Sequence, residues 1–340
     1  MTAEEEVATL AADYFYDVGE LRQPVNTDAE LAADSLELYH SFAFESGRRY
    51  NVHVLDETTL IFAAGNVVHL FDIATGQQIY LHGLDGRGIG AVAVHPSRKY
   101  FAVGEKGDAP NIYVYAYPSL KLYRVLRKGT EQAYTALAFT ATGGTLASVG
   151  AYPDYMLTVW DWQNELVILR NKAFSQEVYS VAFAPTSDEV LITSGMGHIR
   201  FWRMASTFTG LKLQGDIGKF GNVELTDVCA YAELPGGKVL SGTEGGRMLL
   251  WDGNLIEFEI SRRGGAPCHK GNIEVLRLEG GTLTSAGHDG FVSEETPVFE
   301  LEPLTEKRVG GEDPTMIGNS SLMYTNQAKE ANKSQYTNAV

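Results

Sequence analysis

The chain has 340 residues, 44% hydrophobic and 21% charged, a composition that supports a sizeable globular core and excludes low-complexity and fibrous classes. Its net charge of -16 excludes a binder of nucleic-acid phosphates, which needs clustered Lys and Arg. Two cysteines, Cys229 and Cys268, exclude a disulfide framework and point to a reducing compartment.

The opening MTAEEEVATL carries three glutamates where a secretory signal needs a positive end and an apolar run, and no later stretch reaches the length of a membrane span. The reading is a cytosolic chain with no membrane anchor. Residues 1–45 hold eleven acids against Arg22 alone, so the acidity belongs to the N-terminal arm. Residues 1–35, interrupted by Pro24 and Asn26, are predicted to have little fixed structure, as an arm that either solvates the protein or docks on a basic partner. LELYHSFAFESG, Leu36 to Gly47, reads as a strand and as a clasp that would pair with the last repeat.

A repeat then organises the chain. Alternating strands end at Phe71-Asp72, Tyr115, Trp160-Asp161, Trp202 and Trp251-Asp252, and the aromatics are 44, 45, 42 and 49 residues apart. A four-stranded propeller blade takes roughly 40–45 residues. Each unit also holds an alternating strand before a turn (AVAVHP, TALAFT, YSVAFAP, VCAYAELP), followed by a strand of small residues (FAVGEKG, LASVGA, LITSGMG, VLSGTEGG). Period-two alternation with Gly-rich turns specifies meanders of half-buried strands. The predicted fold is an all-β, WD40-type β-propeller over residues 36–304, with five full blades and an incomplete sixth, as an open arc or an imperfectly closed ring.

The aromatic at the end of each third strand is expected to fill the space between neighbouring sheets. Trp162, two residues after Trp160, and the set Tyr113, Tyr115 and Tyr117 are assigned to the same packing. The longest spacing contains FTGLKLQGDIGKFGNVELTD, whose Lys212, Lys219 and Phe220 form a candidate partner surface; a longer hairpin without contacts is the other reading. In AGHDGFVSEETPVF, Ala286 to Phe299, the turn and the start of a third strand are present, but no Trp-Asp closes it. The break falls after Val292 and reads as an internal loss. Residues 305–340 are polar and are predicted to be a disordered tail.

No catalytic constellation accompanies the repeat. Nucleophile-elbow, phosphate-loop, HExxH and paired CxxC motifs are absent from the sequence. Glycine-rich GLDGRGIGAV, Gly83 to Val92, lacks a strand-to-helix context and reads as a loop between blades. Cys268, His269 and His288 could be drawn as a soft-metal cluster, but adjacent ligands without a second pair read as loop residues; His95 and His198 read as hydrogen-bonding turn residues. The expectation is a protein that is not an enzyme and carries no cofactor or metal.

Several stretches resemble the cilia- and flagella-associated protein 44 family of WD-repeat proteins: HSFAFESGRRYNVHVLD, IGAVAVHPSRKYFAVGEKGDAPNIYVYAYPSL, KAFSQEVYSVAF, GHIRFWRMASTFTGLKLQG and YAELPGGKVLSG. The resemblance runs from about Leu36 to about Met316. It implies an axonemal scaffold of the tether and tether-head complex, which connects an inner-arm dynein to the doublet microtubule and regulates ciliary and flagellar beating. The implied partners are cilia- and flagella-associated protein 43, the dynein and axonemal microtubule-associated proteins. The implied location is the axoneme, with a cytoplasmic stage before assembly. The residues alone stop at a WD-type interaction scaffold, for which a cytosolic adaptor such as a ubiquitin-ligase substrate receptor is the alternative. Receptors of one such class carry Arg two positions after the Trp-Asp pair, where this chain has Gln163 and Asn254.

Overall fold

Alternating apolar and polar residues can bury one face of a strand at a time, so the chain folds as successive small sheets that bury their faces against each other. A computed structural model describes residues 10–21, 38–85, 87–262, 265–295 and 307–308. After a short helix α1 (Val18–Leu21), the first sheet is β1 (Val52–Val54), β2 (Thr59–Ala64), β3 (Val67–Asp72) and β4 (Gln78–His82). The second is β5 (Ile89–Val94), β6 (Tyr100–Glu105), β7 (Ile112–Ala116) and β8 (Leu122–Leu126), and the third β9 (Tyr134–Phe139), β10 (Leu146–Gly150), β11 (Met156–Asp161) and β12 (Leu166–Lys172). The fourth holds β13 (Val178–Ala184), β14 (Ser187–Gly195), β15 (His198–Thr207) and β16 (Gly210–Ile217). The fifth holds β17 (Val228–Glu233), β18 (Val239–Thr243), β19 (Met248–Asp252) and β20 (Leu255–Ile260). Within the sixth, β21 (Ile273–Glu279), β22 (Thr282–Gly287) and β23 (Val292–Glu295) are described, and β24 (Lys307–Arg308) pairs with β20. The fold is a six-bladed β-propeller.

The chain divides into two compact units, Met1–Ser175 with Val181–Asp188, and Gln176–Ser180 with Glu189–Val340. In the first unit, Ile61, Val68 and Leu70 of the first sheet pack on Phe101, Tyr115 and Leu122 of the second, and Ala102 and Val114 of the second join a cluster with Leu146, Trp160 and Trp162. In the second unit, Ile192 and Ile199 pack with Leu249 and Trp251, while Leu240 and Leu250 pack with Ile273 and Leu283. Each large apolar side chain buried this way contributes roughly 1.5–3 kcal/mol.

The strands of small residues have a steric cause. A Cβ on Gly104 at the end of β6 would come within 2.8 Å of the Tyr134 Cβ, and one on Gly242 in β18 within 2.5 Å of the Ile273 Cβ. In both cases the first strand of the following sheet passes directly over the glycine. Only a residue without a side chain permits that approach.

Three expectations are corrected. Residues 38–47 form no strand; instead this segment lies on the first sheet, where the Ser41 N–H donates to Gln78 Oε1 at 3.2 Å and Tyr80 Oη at 2.9 Å, and Phe44 packs edge-on to Phe62. The described part of the acidic arm is fixed. Buried Arg124 on β8 donates from Nη2 to the Ala11 carbonyl and from Nη1 to that of Tyr14, both at 3.0 Å, and the Tyr16 N–H donates to the Leu122 carbonyl at 2.9 Å. A buried guanidinium needs acceptors, and the arm supplies two of them. The third strand of the sixth sheet also does not stop at Val292: β23 keeps register with β22 from Ala286↔Val292 to Leu283↔Glu295. Residues 1–9 and 22–35 of the arm, and all of the predicted tail but 307–308, lie outside the described residues.

Candidate functional site

The repeated aromatic position anchors the third, fourth and fifth sheets through one shared geometry. In the third sheet Trp160 stands opposite Leu146, and its indole N–H donates to Ser148 Oγ, two residues further along β10, at 2.8 Å. The fourth sheet repeats this with Trp202 opposite Leu191, donating to Thr193 Oγ1 at 2.9 Å, and the fifth with Trp251 opposite Val239, donating to Ser241 Oγ at 2.8 Å. Each indole is fully buried with its N–H paired, as a buried indole must be. In the first two sheets Phe71 stands opposite Leu60 and Tyr115 opposite Phe101. The hydroxyl-bearing partner is there replaced by Phe62 and Val103.

In the sixth sheet the register puts Glu295 opposite Leu283, the place of the tryptophan, while Ser285 keeps the place of the hydroxyl. Ser285 Oγ lies 2.9 Å from His269 Nε2, and His269 Nδ1 lies 3.1 Å from Asp289 Oδ1. This series of contacts has the order of a Ser-His-Asp triad. Ser285 and His269 are both buried, so no substrate reaches the hydroxyl, and the Asp289 carboxylate is also occupied by the Lys270 N–H at 2.8 Å. The arrangement is a hydrogen-bonded brace of the sheet. In the sequence His269 reads as a loop residue because its two partners are 16 and 20 residues away.

The aspartates of the repeat cap turns. Asp72 accepts from the Thr75 and Ala74 N–H groups at 2.7 and 2.9 Å and from the Thr58 hydroxyl at 2.9 Å, and the Thr75 N–H leads in holding its carboxyl below the ordinary range. Asp161 accepts from Asn164 through both oxygens. Asp252 is exposed at the start of the β19–β20 turn. Trp162 is buried between Tyr100, Phe139 and His95, with its N–H on the Gly143 carbonyl at 2.9 Å. His95 reaches the same carbonyl at 3.1 Å, and burial lowers its pKa. Burial brings His198, which is 3.1 Å from the Met196 carbonyl, down to about 4. Cys268 is buried with Sγ toward the Ile260 carbonyl, and no group of metal-ligating side chains occurs among the described residues.

The candidate partner surface separates into two kinds of residue. Lys212 lies exposed on β16 and Lys219 exposed just beyond it, but Phe220 is buried, edge-on to Trp251 with ring centroids 5.4 Å apart. Phe220 is therefore core, because the chain after β16 turns back onto the fifth sheet, with the Lys219 N–H on the Asn254 carbonyl at 2.8 Å. The length of the insertion goes into the β15–β16 hairpin, paired out to Thr207↔Gly210, whose tip presents Phe208 fully to solvent. Tyr39 and Phe42 are similarly exposed beside the first sheet. Sequence reading missed these three aromatics; the STFTG turn around Phe208 is the one local signal that marks an aromatic at a hairpin tip.

A family model of the echinoderm microtubule-associated protein first beta-propeller matches residues 77–321. The chain belongs to this β-propeller family. Among its relatives, cilia- and flagella-associated protein 44 of Mus musculus is 47% identical over 315 residues, covering 88% of the chain and 17% of that protein. The protein of the same name from Chlamydomonas reinhardtii is 58% identical over 242 residues, covering 69% of the chain and 14% of that protein. The resemblance carried by the quoted motifs thus extends across the microtubule-associated-type propeller, and the chain spans less than a fifth of the length of these curated relatives. The Myceliophteria thermophila Cps50 (Swd1) β-propeller domain shares the fold, with a TM-score of 0.53 at 17% identity over 65% of this chain and 69% of that one.

Proposed function

We propose that the chain is a non-catalytic scaffold of cilia and flagella, acting through the loops and strand edges of its propeller. The observation that carries this reading is the 47% and 58% identity to cilia- and flagella-associated protein 44 from an animal and an alga. In its finer form, the propeller is part of an axonemal tether that links an inner-arm dynein to doublet microtubules and tunes beating. Cilia- and flagella-associated protein 43 is then its neighbour, and the cytoplasm is where it resides before assembly. Exposed aromatics at Phe208, Tyr39 and Phe42 support an interaction role, since large apolar side chains at hairpin tips and sheet margins are common anchors of protein interfaces.

The test is a tagged full chain expressed in a ciliated cell and followed through detergent extraction. Retention along the axoneme, with cilia- and flagella-associated protein 43 recovered alongside, is the expected result. A diffuse cytosolic signal with none at the axoneme refutes the axonemal reading and favours a general adaptor such as a ubiquitin-ligase substrate receptor.

A further inference from the structure

The outer strands of the sheets do not meet solvent alike. Among the described residues, β4 is flanked by the segment around Ser41, β8 by residues 11–16 of the arm, and β20 by β24. β12 pairs with β11 and with no further strand of the described residues. Its first half exposes Leu166, Val167 and Ile168 in succession. Its second half exposes Arg170, which donates to the Lys128 carbonyl, and Lys172; Arg127 and Lys128 are exposed as well. An apolar strand edge left open is a template for pairing with another strand.

The fifth sheet shows how such an edge is covered. Its register repeats that of the third: Trp160 stands opposite Val167 and Val159 opposite Leu169, as Trp251 stands opposite Ile256 and Leu250 opposite Phe258, with one bulged residue between each pair of partners. β24 pairs antiparallel with β20 just past that bulge and places Lys307 opposite Glu259. In β12 the position of Glu259 is held by Arg170. The same addition onto β12 therefore asks for the opposite charge: an extended segment with a glutamate or aspartate opposite Arg170 and apolar residues against Leu166–Ile168.

Residues 1–9, MTAEEEVAT, lie outside the described residues and have that pattern. The carbonyls of Ala11 and Gln163 both accept from the Arg124 guanidinium, at 3.0 and 2.6 Å, and the Tyr16 hydroxyl donates to Glu165 at 2.9 Å. The described end of the arm thus stands at the β11–β12 turn, where β12 begins. From Glu165 to Arg170 is about 16 Å of strand, and about the same length leads back from Leu10 to Glu5. We propose that residues 4–8 add to β12 as an antiparallel fifth strand, with Val7 and Ala8 against Leu166–Ile168 and the Glu4–Glu6 run opposite Arg170. Exposed ion pairs contribute little, so backbone pairing and apolar burial hold the strand while the charges set its register. The chain carries a net charge of -16, and the four cations at β12 mark where its own acidic segment is attracted rather than repelled. This inference is independent of the axonemal reading.

The experiment is hydrogen exchange read by mass spectrometry on the full chain, on the chain lacking residues 1–9, and on the triple variant Glu4→Lys, Glu5→Lys, Glu6→Lys. The outward-facing amides of β12 are protected in the full chain and exchange about tenfold faster or more in both altered chains. β8 stays protected in all three, because Ala11 and Tyr14 keep their contacts with Arg124, so a loss confined to β12 separates release of residues 1–9 from unfolding. The triple variant carries the test if the deletion disturbs β8. Protection of β12 that survives the deletion overturns the proposal, and its rise with protein concentration would assign the edge to a second copy. Free exchange of β12 in the full chain overturns it as well and leaves the edge to another protein. Protection lost on deletion but kept in the triple variant overturns the register, because like charges would then face each other across the pair.

Discussion

Replacing Trp160 by Phe keeps a ring in the space between the second and third sheets but removes the N–H that Ser148 Oγ accepts at 2.8 Å. Both residues are fully buried, so the serine oxygen is left without its partner in a place water does not reach. That loss costs about 1–3 kcal/mol, and the smaller ring leaves a void, so Trp160→Phe should destabilise by roughly 2–4 kcal/mol. Ser148→Ala alone strands the indole N–H and costs about 1–3 kcal/mol by the same reasoning. Once the indole is gone the serine has nothing to accept, and deleting its hydroxyl removes the unpaired group. The double variant should therefore be more stable than the sum of the single losses implies, by roughly 1–2 kcal/mol. Guanidinium chloride unfolding followed by circular dichroism measures each midpoint, and an unchanged slope licenses the comparison. Additivity to within about 0.5 kcal/mol would show that the 2.8 Å contact contributes no coupling, and would refute the anchor as described.

Four further outcomes follow from the same geometry. Phe220→Ala should cost roughly 3–5 kcal/mol, whereas Lys212→Glu should change stability by less than about 0.5 kcal/mol; denaturation midpoints that fail to separate the two would contradict the assignment of Phe220 to the core. Deleting residues 1–21 leaves Arg124 with two of its four carbonyl acceptors, those of Tyr123 and Gln163, at a cost of about 1–3 kcal/mol, and should expose β8 to hydrogen exchange. Glu105 is fully buried, and desolvation raises its pKa to about 7 from 4.5 although the Leu84 and Asp85 N–H groups donate to it. The folded state then holds the proton more tightly than the unfolded chain. Its contribution is present below pH 4.5 and is lost as pH rises to about 7, on the order of 3 kcal/mol in total, and urea midpoints should lose that slope in Glu105→Gln. Glu295→Trp restores an indole at its register position opposite Leu283, and should stabilise the sixth sheet by roughly 0.5–1.5 kcal/mol; an unchanged midpoint means that the Ser285 hydroxyl is no longer available to it.

What the sequence revealed and what it concealed divide along a physical line. The strands were legible because alternation and turn glycines act over a few residues, and the third-strand aromatics because the same packing problem recurs in every blade. The cause of the small-residue strands was not legible, since the Cβ that Gly242 must lack would meet Ile273, a residue of the next sheet. The arm was misread for a related reason. In LYRVL, Arg124 looks like an ordinary polar residue, and nothing local shows that its guanidinium is buried over the Tyr123 ring and reaches back to Ala11 and Tyr14. Phe220, beside lysines and glycines, looks exposed until Trp251 is brought against it.

The sixth sheet shows the two kinds of information acting separately. Backbone pairing asks only that a residue be able to extend, so β23 continues through Ser293, Glu294 and Glu295 in unbroken register with β22. The anchor asks for an indole at one position, and that position holds a glutamate. A break in the aromatic pattern therefore marked the loss of an anchor and did not mark the end of a strand. Ser285, which in the neighbouring sheets would receive a tryptophan, is here held by His269, so the brace built on the histidine persists where the one built on the tryptophan is missing.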